Sequence, residues 1–200
     1  MNIAVLCSGN GSNLKAIIDA VKRGEIKADI SLVVSDSIDA YALVRAKDAG
    51  IETVVIDPKI FKKREDFDRE VIKHLERKKV ILVCLAGFMR LLSPFFIEKY
   101  RNRILNIHPA LLPSFKGTKG ISDALEYGVK VTGPTVHFVD DKLDNGPIIL
   151  QAVIEINDSD SEESLAERVH REEHKIYPEA IKLFTEGKLK IDGRRVTILK

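Results

Sequence analysis

The sequence predicts an α/β protein with a doubly wound, mostly parallel sheet, helices on both faces and an antiparallel C-terminal portion. In the first half, short runs that are apolar throughout alternate with amphipathic helical segments, as expected for buried parallel strands covered by helices. After residue 132 the apolar residues alternate with polar ones around turn-rich segments, which is typical of antiparallel pairing.

In the first half each predicted strand leads into a helical segment. The predicted strands are residues 3–7, 30–34, 54–56, 80–85 and 104–107. Apolar residues at helical spacing follow the first three strands, over residues 14–21, 40–49 and 67–75. Ser93 and Pro94 are residue types preferred at the N-cap and first position of a further helix.

The second half contains extended segments over residues 134–139 and 147–156, with turn residues between them. A long helix is predicted over residues 161–184, with Ser161 and Ser164 as candidate caps. Residues 188–199 are predicted to form a hairpin around Asp192-Gly193. No repeat or linker interrupts the chain, so we expect one domain over residues 1–200.

Composition excludes several classes of protein. A net charge of +2, from 32 Lys and Arg against 30 Asp and Glu, lacks the basic excess that nucleic-acid binding requires. No apolar stretch approaches the roughly 18–20 residues that span a bilayer, and no basic leader opens the chain. Cys7 and Cys84 lie in apolar runs and form no metal-binding or disulfide pattern. We therefore expect a cytoplasmic protein with neither nucleic-acid nor membrane partners.

A glycine loop joins the first strand to the first helix. Gly11, Ser12 and Asn13 can present unpaired backbone N–H groups at a helix N-terminus, where an anion binds. Leu14 stands where a dinucleotide fingerprint needs a third glycine, and the Walker sequence is absent. The loop indicates a lone phosphate monoester, and a strand-to-helix turn capped by Ser12 or Asn13 is the alternative.

Asn106 and His108 occupy alternate positions at the end of a predicted parallel strand, so their side chains share one side. Ligands bind at this edge of open α/β sheets. An amide donor for an oxyanion beside an imidazole suits acyl transfer to an amine. Asp144, if brought close, would stabilise a protonated His108. Alternatively, Asn106 and His108 bond only to backbone groups, and Asp144 belongs to an ordinary turn.

The remaining histidines allow other interpretations. His170 and His174 match the inverted zinc-peptidase pattern, one helical turn apart, but no third ligand is identifiable. A solvated helix face, or a helix end that contacts a polar substrate, is preferred, and no metal is expected. His137 alternates with apolar neighbours and is either a core imidazole or a site residue. His74 is predicted to lie on the surface.

Five segments together resemble the folate-dependent phosphoribosylglycinamide formyltransferase family over about residues 1–185. The segments are Gly9-Asn10-Gly11-Ser12-Asn13, Leu85-Ala86-Gly87-Phe88-Met89-Arg90, Asn106-Ile107-His108-Pro109 with Leu111-Leu112-Pro113, Thr135-Val136-His137-Phe138-Val139 and Leu143-Asp144-Asn145-Gly146-Pro147. The resemblance implies an enzyme of de novo purine (IMP) synthesis. Its substrates would be 10-formyltetrahydrofolate, the formyl donor, and phosphoribosylglycinamide, whose amine accepts the formyl group, with no metal.

The resemblance also implies the site residues. The catalytic residues would be Asn106, His108 and Asp144. The ribonucleotide would bind to Gly11, Ser12, Asn13, His170, Arg171, Glu172 and Glu173. The folate pocket would comprise Arg64, Met89, Arg90, Leu91, Leu92, Asn106, Asp140, Asp141, Lys142, Leu143 and Asp144. Many relatives carry a histidine where Thr118-Lys119-Gly120 stands, so a role of this segment in closing over substrate is not carried over.

On this basis we expect a nucleotide-phosphate half over about residues 1–100, a catalytic and folate-binding half over about 101–185 and a hairpin over about 186–200. The protein would be a monomer or homodimer. Three other functions share parts of the pattern. A methionyl-tRNA formyltransferase would need an RNA-binding domain and a basic surface. A formyltetrahydrofolate hydrolase has no use for the phosphate loop, and a mononucleotide sensor leaves Asn106, His108 and Asp144 unexplained.

Overall fold

A computed structural model describes residues 1–200, which form two compact units, Met1–Leu105 and Asn106–Lys200. The first unit contains β1 (Asn2–Cys7), α1 (Ser12–Lys22), β2 (Asp29–Ser35), α2 (Tyr41–Asp48), β3 (Thr53–Val55), α3 (Arg64–Arg77), β4 (Leu82–Leu85) and α4 (Pro94–Lys99). The strand β5 (Ile104–His108) begins at its end. The strand order is β3-β2-β1-β4, and every pair is parallel.

The core of the first unit lies along its central strands. Residues 3–7 of β1 are fully buried, as are the inner residues of β2 and β4. Helix α1 contacts α2, and α3 contacts α4. Cys7 and Cys84 are buried free thiols, and burial raises the pKa of Cys7 to about 12. Strands that are apolar on both faces require cover on both faces, which the helices provide.

The second unit is largely antiparallel. After residues 106–108 of β5 it contains α5 (Gly120–Tyr127), β6 (Val131–Thr132), β7 (Thr135–Phe138), β8 (Ile148–Gln151), β9 (Ile154–Glu155), α6 (Glu162–Thr185), β10 (Leu189–Asp192) and β11 (Arg195–Ile198). The antiparallel pairs are β6 with β9, β7 with β8 and β10 with β11. A small core forms where Ile154 meets Leu165 and Val169 of α6.

The predicted fold class is confirmed, and so is the start of α4. Pro94 occupies its first turn, and the Ser93 hydroxyl accepts a hydrogen bond from the Phe96 N–H at 3.3 Å. For α6 one detail was wrong. Ser161 is the N-cap, but Ser164 lies at the third helical position and completes a capping box instead of acting as a second cap.

Two other details of the sequence prediction were wrong. Asp192 pairs with Arg195, so the hairpin turn consists of Gly193 and Arg194, one residue later than predicted. Gly193 has φ 55°, which glycine adopts at little cost. Helix α5 was missed, although Ile121, Ala124 and Leu125 have helical spacing. No helix combines the length and apolar composition that crossing a membrane would require.

Candidate active site

The glycine loop of the first unit is a tight turn into α1. Gly11 is the N-cap with φ 73°, in the left-handed region, and Ser12 and Asn13 begin the helix. A Cβ atom on Gly11 would lie 2.6 Å from the Cβ of Ala42, which belongs to α2. Glycine is therefore required here for both conformation and space. The predicted phosphate-binding N–H groups lie at the N-terminus of α1, where the helix dipole favours an anion.

Helix α2 holds this loop by hydrogen bonds. Arg45 donates from Nε to the Asn10 carbonyl at 2.9 Å and from Nη2 to Asn10 Oδ1 at 3.1 Å. The Ala42 N–H donates to the Gly9 carbonyl at 3.1 Å. The sequence analysis missed Arg45, because it is one of several basic residues on an amphipathic helix. Its two-point contact both fixes the loop and places a positive charge beside it.

Two arginines predicted to bind folate lie near one buried carboxylate. Arg64 is the first residue of α3, and the Arg90 guanidinium lies 5.0 Å from the centroid of the Phe67 ring. The carboxylate is Asp68, which accepts a hydrogen bond from the Ser93 N–H at 2.5 Å. Burial raises the pKa of Asp68, while the Ser93 hydrogen bonds and the charges of Arg64 and Arg90 act in the opposite direction. The Arg90 Nε atom is buried without a hydrogen-bond partner.

The segment after β4 runs back toward the glycine loop. The Met89 N–H donates to the Ser8 hydroxyl at 3.0 Å, and the Ser8 N–H donates to the Gly87 carbonyl at 3.1 Å. Met89 and Leu91 expose 64% and 56% of their surface, whereas Leu92 is buried. Of these predicted folate-binding residues, Met89 and Leu91 are therefore accessible to a ligand and Leu92 is not.

In the second unit the structure brings the three predicted catalytic residues together. His108 Nδ1 lies 3.5 Å from Asp144 Oδ2, and the two side chains are only 3% and 9% exposed. His108 Nε2 donates to the Phe115 carbonyl at 2.8 Å. Each ring nitrogen therefore faces an acceptor, and only an imidazolium could donate to both. Asp144 is thus more than an ordinary turn residue.

The loop that carries Asp144 is fixed by close contacts. Asp144 has φ 44°, and its Oδ2 accepts a hydrogen bond from the Gly117 N–H at 2.8 Å. A Cβ on Gly146 would lie 1.8 Å from the Phe138 carbonyl oxygen, so only glycine lets the loop return this closely to β7. The Asp140 carboxylate accepts from the Asn145 amide at 2.9 Å. These contacts hold the Asp144 carboxylate in place.

The other residues predicted in this loop extend outward. Asp141, Lys142 and Leu143 are exposed, and the Lys142 N–H donates to Asp140 Oδ1 at 3.0 Å. The segment that departs from the family pattern, residues 118–120, ends beneath His108. A Cβ on Gly120 would lie 3.4 Å from His108 Nε2 and 3.1 Å from the Ala110 Cβ.

His137, whose role the sequence left open, lies beside Asn106 and Asp144. The ring is 2% exposed, its Nδ1 lies 2.7 Å from the Phe138 carbonyl, and its Nε2 lies 3.1 Å from Asn106 Nδ2. Asp144 Oδ1 is 3.8 Å from Nε2. Burial lowers the pKa of His137, outweighing the Phe138 carbonyl and the Asp144 charge, which raise it. His137 is therefore both a buried imidazole and a neighbour of the predicted catalytic residues.

Of the four ribonucleotide-binding residues predicted on α6, only Glu173 is buried, at 4% exposure. His170 and Arg171 are exposed, and Arg171 pairs with Glu167 at 2.9 Å. Glu172 pairs with Lys175 at 2.6 Å. No three His, Cys, Asp or Glu side chains in residues 1–200 lie close enough to share a metal ion.

Comparison with known proteins places the chain in a family. Residues 1–181 match the family model described as formyl transferase. The phosphoribosylglycinamide formyltransferase of Escherichia coli K12 is 47% identical, with 98% of this chain and 96% of that protein covered. The human trifunctional purine biosynthetic protein adenosine-3 is 46% identical over 94% of this chain, which corresponds to 19% of that longer protein.

A solved structure, glycinamide ribonucleotide transformylase 1 from Symbiobacterium toebii, has a TM-score of 0.98 and 50% identity, with 100% of this chain and 94% of that one covered. The two chains therefore share their fold over the whole length of this chain. The arrangement of an amide, two imidazoles and a carboxylate lies within the matched residues. The chain belongs to the formyl transferase family.

Proposed function

We propose that the protein transfers a formyl group from 10-formyltetrahydrofolate to the amine of phosphoribosylglycinamide, a step of purine synthesis. The observation that carries the proposal is the buried contact of 3.5 Å between His108 Nδ1 and Asp144 Oδ2, beside the Asn106 amide. The phosphoribosylglycinamide formyltransferases of Escherichia coli K12 and Haemophilus influenzae are 47% and 44% identical to the chain over the aligned residues.

The reaction exchanges one C–N bond for another. The substrate amine attacks the formyl carbon, a new C–N bond forms, and negative charge collects on the formyl oxygen. The bond between the formyl carbon and the folate nitrogen then breaks, and the proton lost by the amine is taken up by that nitrogen. Groups that stabilise the oxyanion and move this proton accelerate both steps.

The residues of the second unit match these needs. The Asn106 amide would donate a hydrogen bond to the oxyanion. A protonated His108 would stabilise the oxyanion by its charge, and its Nε2 proton would reach the oxyanion only by releasing the Phe115 carbonyl. Contributions of this kind typically change the rate about 100–1,000-fold. Asp144, at 3.5 Å from His108 Nδ1, would orient the imidazole. Proton transfer would use His108 directly or an ordered water.

The first unit supplies groups for binding the substrates. The N–H groups at the start of α1 suit a phosphate monoester, and Arg45 adds a positive charge near them. Arg64 and Arg90 suit a carboxylate of the folate, because guanidinium groups bind carboxylates with two hydrogen bonds. We propose the remaining predicted contacts, those of residues 170–173 and 140–144, on the basis of the family resemblance alone.

The test is an assay of 10-formyltetrahydrofolate consumption by the purified protein, with and without phosphoribosylglycinamide. We expect consumption to depend on the ribonucleotide and the formylated ribonucleotide to appear in equal amount. Consumption with water alone would identify a hydrolase instead. Binding of both compounds without turnover would identify a sensor and overturn the proposal.

A further inference from the structure

His137 is the one buried titratable group in contact with the proposed catalytic residues that the mechanism does not use. Its ring lies in β7 at 2% exposure, and each of its nitrogens has a protein partner. One partner is the Phe138 carbonyl at 2.7 Å, and the other is the side-chain amide nitrogen of Asn106 at 3.1 Å. The chemistry of these partners fixes where the ring proton lies.

A carbonyl oxygen can only accept a hydrogen bond, so the Nδ1 of His137 must carry a proton. In a neutral imidazole Nε2 then has a lone pair, which can accept one N–H of the Asn106 amide. That bond sets the rotation of the amide about its terminal torsion. The second N–H and the oxygen of Asn106 are thereby aimed in fixed directions.

The surroundings keep this ring neutral. Desolvation lowers the pKa of His137, and the positive charge of a protonated His108 acts in the same direction. Asp144, Asp140 and the Phe138 carbonyl oppose it without outweighing burial. An imidazolium at this position would point an N–H at the N–H of Asn106. The amide would then have to turn over and present its oxygen to His137, which would move its donors away from their present directions.

We propose that His137 is a positioning residue that, as a neutral imidazole protonated on Nδ1, holds the Asn106 amide with one N–H aimed at the formyl oxygen. The inference rests on the proposed function for the identity of the reacting group. It assigns His137 no contact with substrate, because its two ring nitrogens are occupied by Phe138 and Asn106. His137 therefore acts on the reaction only through Asn106.

The first experiment needs no substrate. Two-dimensional ¹⁵N NMR of the histidine rings in the free protein distinguishes a protonated nitrogen from one with a lone pair. We expect His137 to show a protonated Nδ1 and an unprotonated Nε2 at neutral pH. An imidazolium, or a ring protonated on Nε2, would overturn the proposal even if the enzyme is fully active.

The second experiment is a double-mutant cycle in single-turnover formyl transfer. His137→Phe keeps a ring of similar size but removes the acceptor, and we expect the rate to fall by up to about 100-fold, with little change in ribonucleotide KM. In the Asn106→Ala background the same substitution should have almost no further effect. Equal losses in both backgrounds would show that His137 does not act through Asn106.

Two further variants guard against a folding defect. His137→Gln restores an acceptor and should recover part of the rate lost in His137→Phe. His74→Gln, which replaces a histidine of α3 that lies 3.5 Å from Glu70 and is not among the proposed site residues, is the matched control and should retain the wild-type rate. The two proposals can fail separately. If the NMR result is as expected but neither the wild type nor any variant transfers a formyl group, the proposed function is wrong, while the arrangement of His137 and Asn106 is still supported.

Discussion

Asp144 offers a substitution that separates charge from backbone conformation. Its φ of 44° lies in the left-handed region, which asparagine tolerates as well as aspartate does. Asp144→Asn should therefore keep the loop but remove the negative charge beside His108. We expect the transfer rate to fall by about 100-fold or more, because His108 loses the group that orients it.

The measurement is single-turnover transfer, with near-ultraviolet circular dichroism to verify the fold. Asp158→Asn is the matched control, since its side chain is 94% exposed and pairs only with Lys130. A near-normal rate for Asp144→Asn would mean that its charge is not used in catalysis.

His137 also predicts a pH dependence of stability. Its pKa is lowered in the folded protein relative to the ordinary value of 6.5. At a pH between the two pKa values, the ring therefore binds a proton in the unfolded chain but not in the folded chain. The contribution of His137 is fully present above about pH 6.5 and is lost as the pH falls toward the lower, folded-state pKa. Urea unfolding between about pH 5 and 8 should show a shallower acidic decline for His137→Gln than for the wild type. Parallel curves would contradict this expectation.

At the scale of elements, the contact between the glycine loop and α2 can be tested by comparing two glycines. Gly11 and Gly24 have nearly equal φ values of 73° and 74°, but only Gly11 faces a neighbour, Ala42. An alanine at either position has a backbone cost of about 1 kcal/mol. Gly11→Ala should have an additional cost of about 1–3 kcal/mol because the new methyl group meets α2. Equal losses in thermal unfolding would show that the helix shifts at little cost.

The same loop gives a prediction for substrate affinity. Arg45→Met removes two hydrogen bonds to Asn10 and one positive charge, so the ribonucleotide KM should rise about tenfold, equivalent to roughly 1.4 kcal/mol, with the folate KM unchanged. Lys47→Met on the same helix removes an exposed charge and is the control. Equal increases for both variants would indicate that charge alone, not the bond to Asn10, supports binding.

The elements themselves were largely predictable because periodicity reports burial. The parallel strands of the first unit are buried on both faces and appear as continuous apolar runs, while α1 and α3 show one apolar face. Helix α5 was missed because only eight residues form it, starting from a glycine. The turn of the last hairpin was displaced by one residue because Asp192-Gly193 and Gly193-Arg194 both contain a residue able to adopt positive φ.

At the scale of the whole molecule, the site was predictable only in part. Asn106 and His108 share a strand, so their common direction follows from the period of two. That Asp144 reaches them depends on contacts distant in sequence, including the approach of Gly146 to Phe138 and the bond from the Gly117 N–H. The sequence left the role of His137 open and gave no distinct signal for Arg45, because both roles depend on partners 31 and 35 positions away along the chain.

Because His108 and Asp144 are buried, dissolved salt should affect the binding of substrate and the rate of formyl transfer differently. Mobile ions screen charges in water over about 8–10 Å at physiological ionic strength, but they screen buried pairs much less. The charge of Arg45, whose hydrogen bonds to Asn10 at the glycine loop are exposed, attracts an anion through water, where salt screens the attraction. Potassium chloride should therefore weaken capture of the phosphate-bearing substrate and leave the single-turnover rate at saturation nearly constant. A rate at saturation that falls with salt would show that the proton-handling groups are open to bulk ions during turnover.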